Sequence, residues 1–173
     1  MTSFRVHGGK PLRGEIVPQG AKNEALQVIC ATLLTPEPVT IHNIPDILDV
    51  NNLIDLIRSL GAGVDRLTRN SCRFTARNIN IEYLLTDNLK KRSGNLRGSL
   101  MIMGPLLTRF GKGYIPRPGG DKIGRRRMDT HINGLVSLGA TFDYEFTEDY
   151  YKLYASKLSG CNLLLEEASV TGT

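Results

Sequence analysis

Ser59-Leu60-Gly61-Ala62 and Ser137-Leu138-Gly139-Ala140 are the same four residues, set 78 positions apart. The likeness extends outward in order. Leu33-Leu34-Thr35 returns as Leu106-Leu107-Thr108 at an offset of 73, and Val39-Thr40-Ile41 as Gly113-Tyr114-Ile115 at 74. Repetition at so long a period marks a supersecondary unit that buries its face against its own copies. The rising offset puts a few extra residues in the second copy, between its strand and its second helix, at 117–127. Gly98-Ser99 lies 74 positions before Gly172-Thr173, so a third copy would begin at the end of the chain, and a fragment of a larger fold is expected.

Local patterns fill in each unit. Residues 21–34 read as a helix, with Ala25, Leu26, Ile29 and Leu33 on one face and Pro36 and Pro38 as stops. Residues 39–41 form a short strand. Residues 49–60 form a helix with Leu53, Leu56, Ile57 and Leu60 inward, closed by Gly61 as a left-handed cap. Residues 63–67 and 72–76 form a hairpin around Asn70-Ser71. The second copy reads likewise: a helix over 95–110 interrupted at Gly104-Pro105, a strand at 114–115, a helix over 129–138, and a hairpin of 141–146 with 151–155. Further strands are expected at 4–7, 13–17 and 162–165. The expected organisation is therefore residues 1–20 apart from 21–173, with units at about 21–86 and 95–160 and a third cut short from about 168.

Composition narrows the class. The 173 residues are 40% hydrophobic and 23% charged, an ordinary globular balance that excludes disorder and collagen. Uncharged runs such as 25–36 are too short to span a bilayer, and the first residues carry no apolar signal region. Cys30, Cys72 and Cys161 are odd in number and far apart, which speaks against a disulfide framework or a CxxC metal site and fits a reducing cytosol. A cytoplasmic protein is expected. The net charge of +5 is concentrated: residues 86–131 hold eleven Lys and Arg against three Asp, so the rest of the chain is net negative. Such a segment is either a solvated basic face or a site for an anion, whether a phosphorylated small molecule or a nucleic acid.

Three motifs in order carry a resemblance: Gly20-Ala21-Lys22-Asn23; Leu96-Arg97-Gly98-Ser99 opening a helix; and Arg117-Pro118-Gly119-Gly120-Asp121-Lys122-Ile123-Gly124, followed by Arg126, Asp129 and His131. Together they resemble the UDP-N-acetylglucosamine 1-carboxyvinyltransferases, the enolpyruvyl transferases that begin peptidoglycan precursor synthesis. The resemblance runs from about residue 4 to 173 and covers well under half of the family's usual length. It implies an α/β fold, an inside-out α/β prism of repeated βαβαββ-type units, of which this chain would be a partial first lobe. Residues 1–20 would be strands of the other lobe. It also implies a reaction: the enolpyruvyl group of phosphoenolpyruvate moves to the 3-hydroxyl of UDP-N-acetylglucosamine through a tetrahedral intermediate, and phosphate leaves. No metal and no organic cofactor is implied. The partners would be the two small-molecule substrates and the second lobe, with no nucleic acid and no membrane.

The resemblance assigns roles residue by residue. Lys22, Asn23, Arg97 and Arg126 would contact phosphoenolpyruvate. Asn23, Arg97, Arg126, Arg127, Met128, Asp129 and Thr130 would contact the nucleotide sugar. Residue types agree with this. Surplus N–H groups at the start of the Lys22 helix favour an anion, and a guanidinium grips carboxylate or phosphate with two parallel bonds. Asp121 would be the catalytic proton donor, at a position where the commoner family pattern has Cys. An ordinary Asp titrates near 3.9, and Lys122 and Arg125 beside it would lower that further. The acid role therefore requires bound anions or burial to raise it. Fosfomycin alkylates the family's cysteine, so a chain with Asp121 is expected to resist that drug. Other departures are Glu167 and Thr171, where the family's diphosphate turn has Lys and Gly, and Arg127-Met128 and Thr130, where it often has Pro-Val and Leu. Two alternatives stand beside this reading. A shikimate 3-phosphate enolpyruvyl transferase would share fold and donor, and a basic nucleic-acid-binding module would use the cationic segment, although that segment has few aromatic residues for stacking.

Overall fold

The computed structural model describes residues 3–87, 97–116, 128–147 and 150–165. Two units of the same design follow one another. In the first, α1 (Lys22–Ala31) runs on as a 3-10 turn (Thr32–Leu34), then come β1 (Val39–Ile41), α2 (Leu48–Ser59) and the hairpin β2 (Gly63–Thr68) and β3 (Ser71–Thr75). In the second, a 3-10 segment (Arg97–Ile102) leads into α3 (Met103–Phe110), β4 (Lys112–Pro116), α4 (Asp129–Ser137) and the hairpin β5 (Thr141–Glu145) and β6 (Tyr150–Tyr154). A 3-10 turn at Ile81–Leu85, which the periodicity does not signal, joins them.

The sheets repeat as the sequence does. Each has three antiparallel strands with the last in the middle, β1-β3-β2 and β4-β6-β5. Val39 faces Phe74 in the first, and Gly113 faces Leu153 in the second. Alternation explains the inner strand: Cys72 and Phe74 are buried while Arg73 between them is exposed. On α2, Val50, Leu53, Ile54 and Ile57 recur at helical spacing and are buried together.

Both second helices end alike. The Gly61 and Ala62 amides donate to Arg58 O and Ile57 O; the Gly139 and Ala140 amides donate to Val136 O and Leu135 O. Both glycines have left-handed backbones, with φ of 100° and 109°. This is the Schellman closure, and it is why the repeated tetrapeptide contains Gly. Asn80 N–H then caps Leu60 O as Ser159 N–H caps Leu138 O, so each unit also exits in the same direction.

One apolar cluster joins the units. Ile29, Leu33, Leu53, Ile57, Leu60 and Phe74 pack with Ile102, Leu106 and Tyr114 from the second unit. A smaller cluster, including Leu100, Met103, Leu107, Ile115 and Leu153, sits inside the second unit.

Three expectations are corrected. Gly104-Pro105 does not interrupt a helix over 95–110. The change of helix type falls earlier, between Ile102 and Met103, and α3 carries Pro105 as its third residue. Residues 4–7 and 13–17 are not strands. A strand is made by a neighbouring ladder, and these runs pair with nothing among the described residues; Phe4, Leu12 and Ile16 are all at least 89% exposed. Residues 162–165 are likewise irregular. Instead, Leu163 and Leu165 line a cavity of about 340 Å³ with Leu100, Met103, Thr130 and Leu135.

Candidate functional site

α1 opens directly on Lys22, with Asn23 second and Glu24 in the same turn. Ala21 stands at the N-cap, where an oxygen-bearing side chain is usual, and among the described residues no side chain caps the first amides. Those donors and the positive end of the helix dipole lie where Lys22 and Asn23 stand, both exposed. The start of α1 is placed by a close approach. A Cβ on Gly20 would lie 2.0 Å from Asn43 O, so only glycine lets the chain pass there. Asn43 itself has a left-handed φ of 57°, in the loop that leads to α2.

Lys22 is held. Its Nζ donates to Asp49 Oδ2 at 2.8 Å, and both side chains are about half exposed. Asp49 lies in the first turn of α2. The two helix starts, 27 residues apart in sequence, are thus tied across the surface. An ammonium has three donors. One goes to Asp49 and two can serve an anion beside the uncapped amides.

Arg97 begins the 3-10 segment of the second unit. That segment packs against both α1 and α2. A Cβ on Gly98 would meet Leu26 Cδ1 at 3.1 Å, one turn along α1 from Lys22. The fold therefore brings the backbone of Arg97 to the side of α1; its side chain lies outside the described part of the structure. Asp121, Arg126 and Arg127, with the loop that carries them, also lie outside the described residues. Met128 is the residue before α4 and packs on the second unit's core. Asp129 is exposed in the first turn of α4, and Thr130 turns to the 340 Å³ cavity. Lys22, Asn23 and Arg97 are thus gathered around α1, whereas Met128, Asp129 and Thr130 belong to the second unit's own helix.

Two members of the cationic segment serve the fold. Arg109 is half-buried and its guanidinium donates to Leu33 O at 3.0 Å and Ala76 O at 2.7 Å, binding the second unit to the first. Lys112 donates to Glu82 Oε1, which raises the lysine above its usual range. The positive excess of that segment is therefore only partly available to a ligand. Cys30 lies in the core, as expected of an apolar helix face, and burial pushes its thiol far up.

Asp49 is the residue that sequence reasoning missed. An acid in the first turn of a helix is common because the dipole favours it, so nothing set it apart. Only the crossing of α1 and α2 gives it a partner. Among the described residues no group of His, Cys, Asp and Glu is arranged to hold a metal ion, and no helix is long and apolar enough to cross a membrane.

Paired αβαββ units with equivalent three-stranded antiparallel sheets are the arrangement of an enolpyruvyl-transferase-type fold. The enolpyruvyl transferase NikO from Streptomyces tendae superposes with a TM-score of 0.69 over 90% of this chain and 33% of its own, at 23% identity. The family model for EPSP synthase (3-phosphoshikimate 1-carboxyvinyltransferase) matches residues 6–173, and the chain belongs to that family. A UDP-N-acetylglucosamine 1-carboxyvinyltransferase from Porphyromonas gingivalis is 57% identical over all 173 residues, which are 40% of its own length. One of the same name from Bacteroides fragilis is 56% identical over the same span. The chain thus spans about 40% of the length of the curated relatives it matches.

Proposed function

We propose that the full-length protein transfers the enolpyruvyl group of phosphoenolpyruvate to the 3-hydroxyl of UDP-N-acetylglucosamine, with release of phosphate. That is the first committed step of peptidoglycan precursor synthesis. It would make the protein a cytoplasmic enzyme of cell-wall biogenesis, serving cell shape and division. The observation that carries this reading is the 57% identity, unbroken across the chain, to a relative of that name. The Lys22-Asn23 pair at the uncapped head of α1 supports it, because the reaction needs a cation and free N–H donors around a phosphate.

In this reading Lys22, Asn23, Arg97 and Arg126 meet phosphoenolpyruvate. Asn23, Arg127, Met128, Asp129 and Thr130 belong to the nucleotide-sugar side, which Arg97 and Arg126 also touch. Asp121 delivers a proton to the methylene carbon as the sugar hydroxyl adds to the adjacent carbon. That proton donor works only when bound anions or burial raise its pKa. A carboxylate is a poor nucleophile towards an epoxide, so fosfomycin should leave the enzyme active. No metal or organic cofactor enters. Residues 1–20, unpaired among the described residues, would find strand partners only in a second lobe that completes the site, which accounts for their bare apolar side chains. The 173-residue chain alone should show little turnover.

The test is phosphate release by the full-length protein with both substrates present. Release that needs both, and that fails when shikimate 3-phosphate replaces the nucleotide sugar, supports the assignment. Release with shikimate 3-phosphate instead would move the protein to the other branch of its family.

A further inference from the structure

We propose that Asp49 is a positioning residue for the Lys22 ammonium, fixing where that cation meets the phosphorylated donor. The proposal rests on the reading of Lys22 as a phosphoenolpyruvate contact. Its own basis is the 2.8 Å bond between Lys22 Nζ and Asp49 Oδ2, and the way one loop mounts both partners.

Residues 43–47 are that loop. On one side, Asn43 O lies against Gly20, which sets the entry of α1 and so the base of Lys22. On the other, the loop feeds α2 and is tied to the β2–β3 turn. Ile44 N–H donates to Asn70 O at 2.8 Å, and Asn70 Nδ2 returns a bond to Ile44 O at 2.9 Å. Asp46 accepts from Asn51 Nδ2 and from Arg69 Nε, each at 3.0 Å, and Arg66 donates to Asn51 Oδ1 at 2.8 Å. Asn51 is in α2, two residues beyond Asp49. Asp49 thus stands on a braced helix start, and its carboxylate reaches a lysine whose own backbone is placed by the same loop.

The energetics favour placement over stability. Both side chains are near half exposure, and an exposed pair contributes little to folding. A free lysine, however, loses rotamer freedom when a ligand orders it. One already held by Asp49 loses less and presents two donors in a set direction. An opposing effect must be beaten: a carboxylate near an anion site repels the anion. If repulsion won, removing the charge would tighten donor binding. If positioning wins, removing it weakens binding.

The experiment compares full-length wild type with Asp49→Asn, Asp49→Ala and Asp49→Glu. Expected are a rise in KM for phosphoenolpyruvate of about fivefold or more in the Asn and Ala variants, KM for the nucleotide sugar within about twofold, an unchanged melting temperature, and partial recovery in Asp49→Glu. In a Lys22→Gln background Asp49→Asn should bring no further loss, read by calorimetric titration with phosphoenolpyruvate so that slow turnover hides nothing. An unchanged or lower KM for phosphoenolpyruvate, equal effects on both substrates, or full additivity with Lys22→Gln would each overturn the proposal while leaving an active wild type in place. A wild type that releases no phosphate would instead remove the functional reading of Lys22, and the positioning role with it.

Discussion

Cys30 and Cys72 are 2% and 1% exposed, and burial raises both thiols above their ordinary range. Cys161 is exposed. A thiolate is the reactive form, so native protein treated with an aromatic disulfide reagent should titrate one thiol quickly and two more only after unfolding. Fast reaction of all three would contradict the packing of α1 and β3. Asp46 is a second residue with a measurable signature. Hydrogen bonds from Asn51 and then Arg69 lower its pKa from the ordinary 3.8. The folded state therefore binds fewer protons at this group than the unfolded chain does. Its contribution is complete above the unfolded value and fades as pH falls through the lower folded one. Melting temperatures of wild type and Asp46→Asn should differ most at neutral pH and converge as pH falls below about 3.8. A gap that widens with acid would mean the carboxylate is not held ionised.

At the scale of elements, the closures of α2 and α4 are the same motif with different room around it. At Gly61, φ is 100° and an added Cβ would lie 2.4 Å from Asn78 O; at Gly139, φ is 109° and the nearest atom, Lys157 O, is 3.2 Å away. Both alanine variants pay for a left-handed backbone, about 1–2 kcal/mol, and Gly61→Ala must also displace a carbonyl. Denaturant melts should show both destabilised, with Gly61→Ala the worse by roughly 1 kcal/mol or more. Equal losses would mean the loop after α2 yields freely. The helices and hairpins themselves were readable from periodicity and turn residues, because α1, α2 and the hairpin β2–β3 satisfy their backbones locally. Residues 4–7, 13–17 and 162–165 were not. An apolar alternation says that a segment could pair, but a ladder needs a second strand. Pro105 was misjudged for a related reason: its effect depends on where the helix begins, and the preceding residues take the tighter 3-10 form.

Over the whole molecule, the larger core draws Ile102, Leu106 and Tyr114 into the cluster built by the first unit. Arg109 adds a polar tie, satisfying two first-unit carbonyls at Leu33 and Ala76. The described units should therefore unfold as one. Leu106→Ala, at a fully buried position, should cost about 2–5 kcal/mol, and Arg109→Ala about 1–3 kcal/mol through the carbonyls left unpaired. Each should keep a single transition by circular dichroism. Two separated transitions in either variant would show that the units are independent.

The repeat, the helix faces, the Schellman glycines and the family could be read along the chain, because each rests on spacing and local backbone chemistry that neighbours in sequence supply. The placement of the site residues could not. Lys22 meets Asp49 only because α1 crosses α2, Arg97 comes beside α1 because the second unit seats Gly98 against Leu26, and Arg109 leaves the cationic surface because two carbonyls of the other unit lie within its reach. Those are contacts between distant stretches of chain, and their cost and reward appear only when the cores that hold the elements together have formed.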